Sequence, residues 1–140
     1  MADPARVLVV AHQTAATQPL LDAVRERAQR SPAQFHLVVP RQPHGIDKVA
    51  NPHEHGKEAA EEVLDDALPK LSEAAGAEVQ GSIGDHEPLM AVEDALNQTG
   101  PYDEIIISTL PPGISRWLKL DLVSKLRGEG LPVTHVLPPH

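Results

Sequence analysis

A chain of 140 residues is long enough for one buried core, so residues 1–140 read as a single domain. Its 12 basic against 20 acidic residues, a formal charge of -8, argue against a sequence-independent grip on nucleic acid or on an anionic membrane. With no cysteine, disulfides, thiolate catalysis and zinc-thiolate sites are excluded, and no apolar run nears the roughly twenty residues that cross a bilayer.

The start, Met-Ala-Asp-Pro-Ala-Arg, flows directly into Val7-Leu8-Val9-Val10, and a cytoplasmic protein is the simplest expectation. Those four residues are apolar without alternation, as in a central strand buried on both faces. Pro19 opens a helix with Leu20, Leu21, Val24 and Ala28 on one face, and Ser31-Pro32 ends it. Phe35 to Val39 is a second strand closed by Pro40, and a polar loop with Pro43, Gly45 and Pro52 follows. From about Gly56 to Ala75 a helical period runs through Ala60, Val63, Leu64, Ala67, Leu68 and Leu71. Its opposite face is acidic, and Pro69 is expected to kink or split it. Gly76 ends that helix, and Ala77 to Ser82 is a weaker strand. Gly84-Asp85 turns into Pro88-Leu89, and Leu89, Val92 and Leu96 mark a third helix that stops before Gly100-Pro101. Ile105-Ile106-Ile107 is a buried strand broken by Ser108-Thr109 and a Pro-Pro-Gly turn, after which Ser115 caps a helix. Leu118, Leu122, Val123 and Leu126 face inward on it, and Val133 to Leu137 is a last short strand.

Strands thus alternate with helices, about five with four. That is the pattern of an α/β, three-layer, doubly wound sandwich around a parallel five-stranded, Rossmann-like sheet. Connections reverse beside the first strand, so a ligand crevice is expected between its end, at His12, Gln13 and Thr14, and the end of the fourth strand. There the candidates are Ser108 and Thr109, the Gly113 to Ser115 backbone at a helix start, and Arg116 or Lys119 as countercharge.

In this order the segments resemble the universal stress protein family. The carriers are Val7-Leu8-Val9-Val10, the turn Gly84-Asp85-His86-Glu87-Pro88, Asp103-Glu104-Ile105-Ile106-Ile107, Gly113-Ile114-Ser115-Arg116 and the closing Leu131-Pro132-Val133-Thr134-His135-Val136. The resemblance spans nearly the whole chain and implies the family's fold, a regulatory or stress-response role, and a homodimer paired through the last strand, an exposed sheet edge. ATP-binding members are marked by a Gly-x-x-Gly turn after the fourth strand and a later Gly followed by Ser or Thr. Here Ser108 and Pro111 stand where the paired glycines would be, Leu120-Asp121 stands near the later pair, and His12 replaces the acidic residue common after the first strand. A phosphate cradle needs close backbone N–H groups, which glycine permits and proline lacks. Family-type ATP binding is therefore not expected. A mononucleotide or small anion remains compatible with the hydroxyls and Arg116.

Other clusters have plainer readings beside sharper ones. His44, His53-Glu54-His55 and Glu58 offer metal-binding side chains, but a solvated polar loop is the favoured reading and no metal site is assigned. Asp85-His86-Glu87 suggests acid-base chemistry, but acidic residues also suit a helix start. His12 opposite Ser108 suggests base and nucleophile, yet no third partner or nucleophile elbow surrounds them, and no catalytic residue is assigned. Trp117 suits packing or an interface more than stacking on a base. Three functions stay open: a stress-protein-like regulatory module, a nucleotide or small-anion sensor, and a nucleotide-handling enzyme of the same fold group, the last least favoured.

Overall fold

The computed structural model describes residues 4–12, 14–41, 52–110, 117 and 121–137, with backbone alone at 52–58. Five parallel strands form one sheet: β1 (Ala5–Val10), β2 (Ala33–Pro40), β3 (Gln80–Gly84), β4 (Glu104–Ser108) and β5 (Val133–Val136), in the order β3-β2-β1-β4-β5. Val7 to Val10 are wholly buried, because β1 is covered on both faces and flanked by β2 and β4. The order reverses beside β1, as the alternating pattern requires.

Helices α1 (Gln18–Arg30) and α2 (Pro52–Ala75) cover one face; α3 (Pro88–Gln98) and α4 (Leu122–Arg127) cover the other. On the first, Val7, Val9, Phe35 and Leu37 pack with Leu20, Val24, Leu64, Ala67 and Leu71. On the second, Leu8, Val10, Val38, Ile105 and Ile107 pack with Ala91, Val92, Leu122 and Leu126, and Trp117 rests against this cluster. Alternate residues of one strand thus feed opposite layers, the consequence of a period of two. Trp117 packs as its plainer reading expects.

Two local expectations are corrected. Pro69 does not split α2, which begins four residues earlier than expected and runs through it. The ring lies on the exposed face, where water can serve the carbonyl it leaves unpaired, while Ala67 and Leu71 on either side are fully buried. Burying a side chain such as Leu71 contributes about 1.5–3 kcal/mol, comparable to the ~3 kcal/mol cost of an interior proline. The third strand lies later than Ala77 to Ser82, at Gln80–Gly84. Its glycines allow helices close on both faces. A Cβ on Gly81 would stand 2.7 Å from the Leu64 side chain of α2, and one on Gly84 2.5 Å from Ala91 of α3. The features that let β3 be covered are those that weaken its strand signal.

Candidate functional site at the carboxyl edge

The carboxyl ends of β1 and β4 lie side by side because Val10 registers with Ile107. Beyond them, the sheet's hydrogen bonding continues through Ala11 N–H to Val38 O at 3.3 Å and Thr109 N–H to Val136 O at 3.2 Å. A turn then follows β1, with Ala15 N–H donating to His12 O at 3.0 Å, and it carries Thr14 back over the strand ends. The Thr14 and Ser108 hydroxyls meet at 2.6 Å, both buried. Of the residues expected to form the crevice, the structure therefore joins Thr14 and Ser108 directly. Thr109, also buried, instead hydrogen-bonds His135 Nε2 of β5 at 2.8 Å. Gln13, Gly113, Ser115, Arg116 and Lys119 lie outside the described residues, as do Pro111 and the helix start that Ser115 was expected to cap.

His12 is half-buried. Both ring nitrogens are shielded from solvent and have no partner among the described residues. Burial lowers its pKa below 6.5. The imidazole is therefore predominantly uncharged at neutral pH, with one donor and one acceptor to offer. It is not bonded to Ser108, whose hydroxyl is engaged by Thr14, so the base-nucleophile pairing is absent from the described geometry. His135 is likewise held below its usual pKa, first by burial and then by the positive charge of Arg127. The Thr14, Ser108 and Thr109 hydroxyls and the two imidazoles at this edge are suited to hydrogen bonding rather than proton transfer or charge pairing.

One residue at this edge escaped the sequence reading. Arg41 follows β2 directly, and its N–H donates to Gly84 O at 3.1 Å, while its Nε is buried without a partner among the described residues. The available signal was a cation immediately after a buried strand, just beyond Pro40. Asp121 takes the left-handed conformation, with φ 58° and ψ 36°, and its carbonyl accepts the Lys125 N–H at 3.2 Å at the entry to α4. Its carboxylate makes no cap bond there.

The remaining clusters sort simply. The side chains of His44, His53, His55 and Glu58 lie outside the described residues. Asp85 Oδ1 accepts the Glu87 N–H at 2.9 Å and approaches His86 Nδ1 at 3.2 Å on the exposed turn before α3. Helix entry accounts for Asp85, though it bonds just ahead of the helix rather than capping its first turn, and Glu87 at the N-cap makes no side-chain cap bond.

No family model and no curated protein matches the chain. Solved structures do. The universal stress protein of Archaeoglobus fulgidus superposes with a TM-score of 0.65 at 18% identity, covering 94% of this chain and 93% of that one. The chain has the universal stress protein fold. Universal stress protein UspA from Lactobacillus plantarum has a TM-score of 0.67 at 15% identity, over 99% of this chain and 100% of its own. A universal stress family protein from Arabidopsis thaliana, solved with AMP bound, has a TM-score of 0.62 at 15% identity over 97% and 93%. The family resemblance read from segment order thus has its counterpart in the tertiary structure. Among the described residues, no helix is long and apolar enough to cross a membrane.

Proposed function

We propose that residues 1–140 act as one cytoplasmic regulatory or stress-response module of the universal stress protein type, whose carboxyl-edge crevice takes a mononucleotide or comparable small anion rather than ATP on a glycine loop. The observation carrying this reading is the buried Thr14-Ser108 hydrogen bond beside the sheet's reversal, with the unpartnered His12 imidazole in the same turn. It supports a crevice whose hydroxyl and imidazole groups can hydrogen-bond a ligand. Gln13, Gly113, Ser115 and Arg116 are its proposed further members, the last as countercharge. Structural neighbours solved with AMP, with dAMP and with cAMP add support for a mononucleotide. Against ATP stand Ser108 and Pro111 at the glycine positions.

The test is thermal shift of the purified chain against AMP, cyclic AMP, ATP and inorganic phosphate, with mass spectrometry of the extract from denatured protein. Saturable stabilisation by AMP or phosphate, with no larger response to ATP, is expected. Specific ATP stabilisation would sink the reading. β5 has no strand on its outer side among the described residues, which favours a homodimer paired there. Light scattering that reports a monomer at micromolar concentration would remove the dimer.

A further inference from the structure

Every strand runs the same way, so the edge opposite the crevice gathers the strand starts. That amino edge carries a cleft of about 270 Å³, whose lining includes Arg6, Gln34, His36, Glu78, Gln80 and Tyr102. It lies one strand length from the Thr14-Ser108 bond, roughly 20 Å for six residues at about 3.3 Å each.

The register shows why a cleft forms there. Arg6 pairs with Gln34, Leu8 with His36, His36 with Gln80 and Val38 with Ser82, so these residues share the face that α3 and α4 cover. Toward the carboxyl end that face is apolar, with Leu8, Val10 and Val38 in the core. Toward the amino end, and outward from β1 to β3, it changes to Arg6, Gln34, His36, Gln80 and Ser82. A run of polar side chains across three adjacent strands of a sheet otherwise buried by helices has no counterpart in the packing of the other face, where Val7, Phe35 and Leu37 belong to the core.

The polar groups are also held in place. The Arg6 guanidinium stands 5.0 Å above the buried Tyr102 ring and donates to Pro101 O at 3.1 Å and Thr99 O at 2.6 Å. These bonds use neutral acceptors, and among the described residues no carboxylate forms an ion pair with the guanidinium, leaving its charge available. His36 Nε2 meets the Ser82 hydroxyl at 2.9 Å, and its ring lies 6.5 Å from that of Tyr102. Gln34 and Gln80 are exposed in the cleft lining, and their side chains have no hydrogen bond among the described residues.

We propose that this amino-edge cleft is a second ligand site, for a small hydroxy or amino monocarboxylate whose carboxylate pairs with Arg6. A guanidinium without a carboxylate partner selects a planar anion, and the two carboxamides select a polar substituent beside it. One cation, set against the exposed Glu78 and the Asp103 carboxylate that accepts the Arg6 backbone N–H, matches a single negative charge better than the double charge of phosphate. The volume is just below the range of about 300–1,000 Å³ typical of drug-sized ligands, which restricts the occupant to a small molecule.

The experiment is NMR titration of the full chain with L-lactate, L-serine, inorganic phosphate and AMP, read at the rings of His36 and of Tyr102, the single tyrosine. L-Lactate or L-serine is expected to move both rings saturably and phosphate not to. Arg6→Gln should weaken that binding about tenfold or more, the loss of one charge-assisted pair. Since Arg6 also fastens the segment before β4, the Gln34→Ala, Gln80→Ala double variant provides a second reading at exposed positions and should weaken binding at least threefold. Absence of a saturable shift with either carboxylate overturns the proposal, as does phosphate binding equally well or undiminished affinity in the double variant. AMP should leave Tyr102 unmoved whether or not it binds the carboxyl edge, so failure here and failure of the mononucleotide reading are separately visible.

Discussion

The two edges of the sheet solve the same problem with different chemistry. Both must finish a sheet whose central strands, β1 and β4, are apolar through their middles. The carboxyl edge does so with neutral groups, pairing Thr14 with Ser108 and Thr109 with His135. The amino edge uses charge. Arg27 near the end of α1 pairs with Glu104 at the start of β4 at 2.8 Å, and Asp103 Oδ2 accepts the Arg6 N–H at 2.8 Å while Asp103 N–H returns a bond to Arg6 O at 2.7 Å. Neutral hydroxyls can exchange one partner for a ligand at small electrostatic cost, whereas breaking a shielded ion pair leaves an uncompensated charge. The carboxyl edge is thus the cheaper of the two to open, and the amino edge the more firmly fastened.

The sharpest way to break this contrast is Arg27→Ala. The Arg27 side chain is 8% exposed and that of Glu104 20%, so removing the guanidinium strands a shielded carboxylate and should cost about 3 kcal/mol by urea denaturation. A loss below that of the hydroxyl variants would refute the idea that charge is the stronger fastening. Ser108→Ala comes next, leaving the Thr14 hydroxyl unpaired at a cost of about 1–2 kcal/mol. Adding Thr14→Val should recover part of that loss, because both polar groups are then gone; a strictly additive double variant would show that the 2.6 Å bond contributes nothing.

The smallest effect is a pH dependence shared by both edges. Burial lowers the pKa of His12, His36 and His135, with the positive charges of Arg6 and Arg127 lowering those of His36 and His135 further. Below about pH 6.5 the unfolded chain binds protons that the folded chain resists. Stability should therefore be fullest above that value and fall as pH drops through the lowered folded pKa values. Denaturation midpoints at pH 7.5 and 5.5 check the sign. His12→Gln should flatten the slope, since protonating His12 satisfies neither of its buried nitrogens; an unchanged slope would place the acid sensitivity at His36 and His135.

Sequence reading served the two edges unequally. It located His12, Thr14 and Ser108 through the reversal of chain direction, which depends only on element order. It missed Arg41, a lone cation after a strand, because its burial depends on neighbours remote in sequence. Arg6 passed unnoticed within the strand start, since its companions lie on β2, on β3 and in the segment before β4. Asp85-His86-Glu87 was legible as a helix entry because that depends on adjacent residues.

Residues near one another in sequence thus determined what local patterns can determine: Val7 to Val10 as a buried strand, the helical period of α2, and an alternation that admits one doubly wound sheet. Those signals arise from apolar periodicity, and periodicity is local. The tertiary structure alone decided that α2 continues through Pro69, that Gly81 and Gly84 place β3 later, and that Ser108 meets Thr14 rather than His12. Each outcome rests on contact with another element, through packing on both sides of a proline, close helix approach at a glycine, or a hydroxyl partner 94 positions away. Such contacts form only when the sheet brings distant segments together, so no window of the sequence contains them.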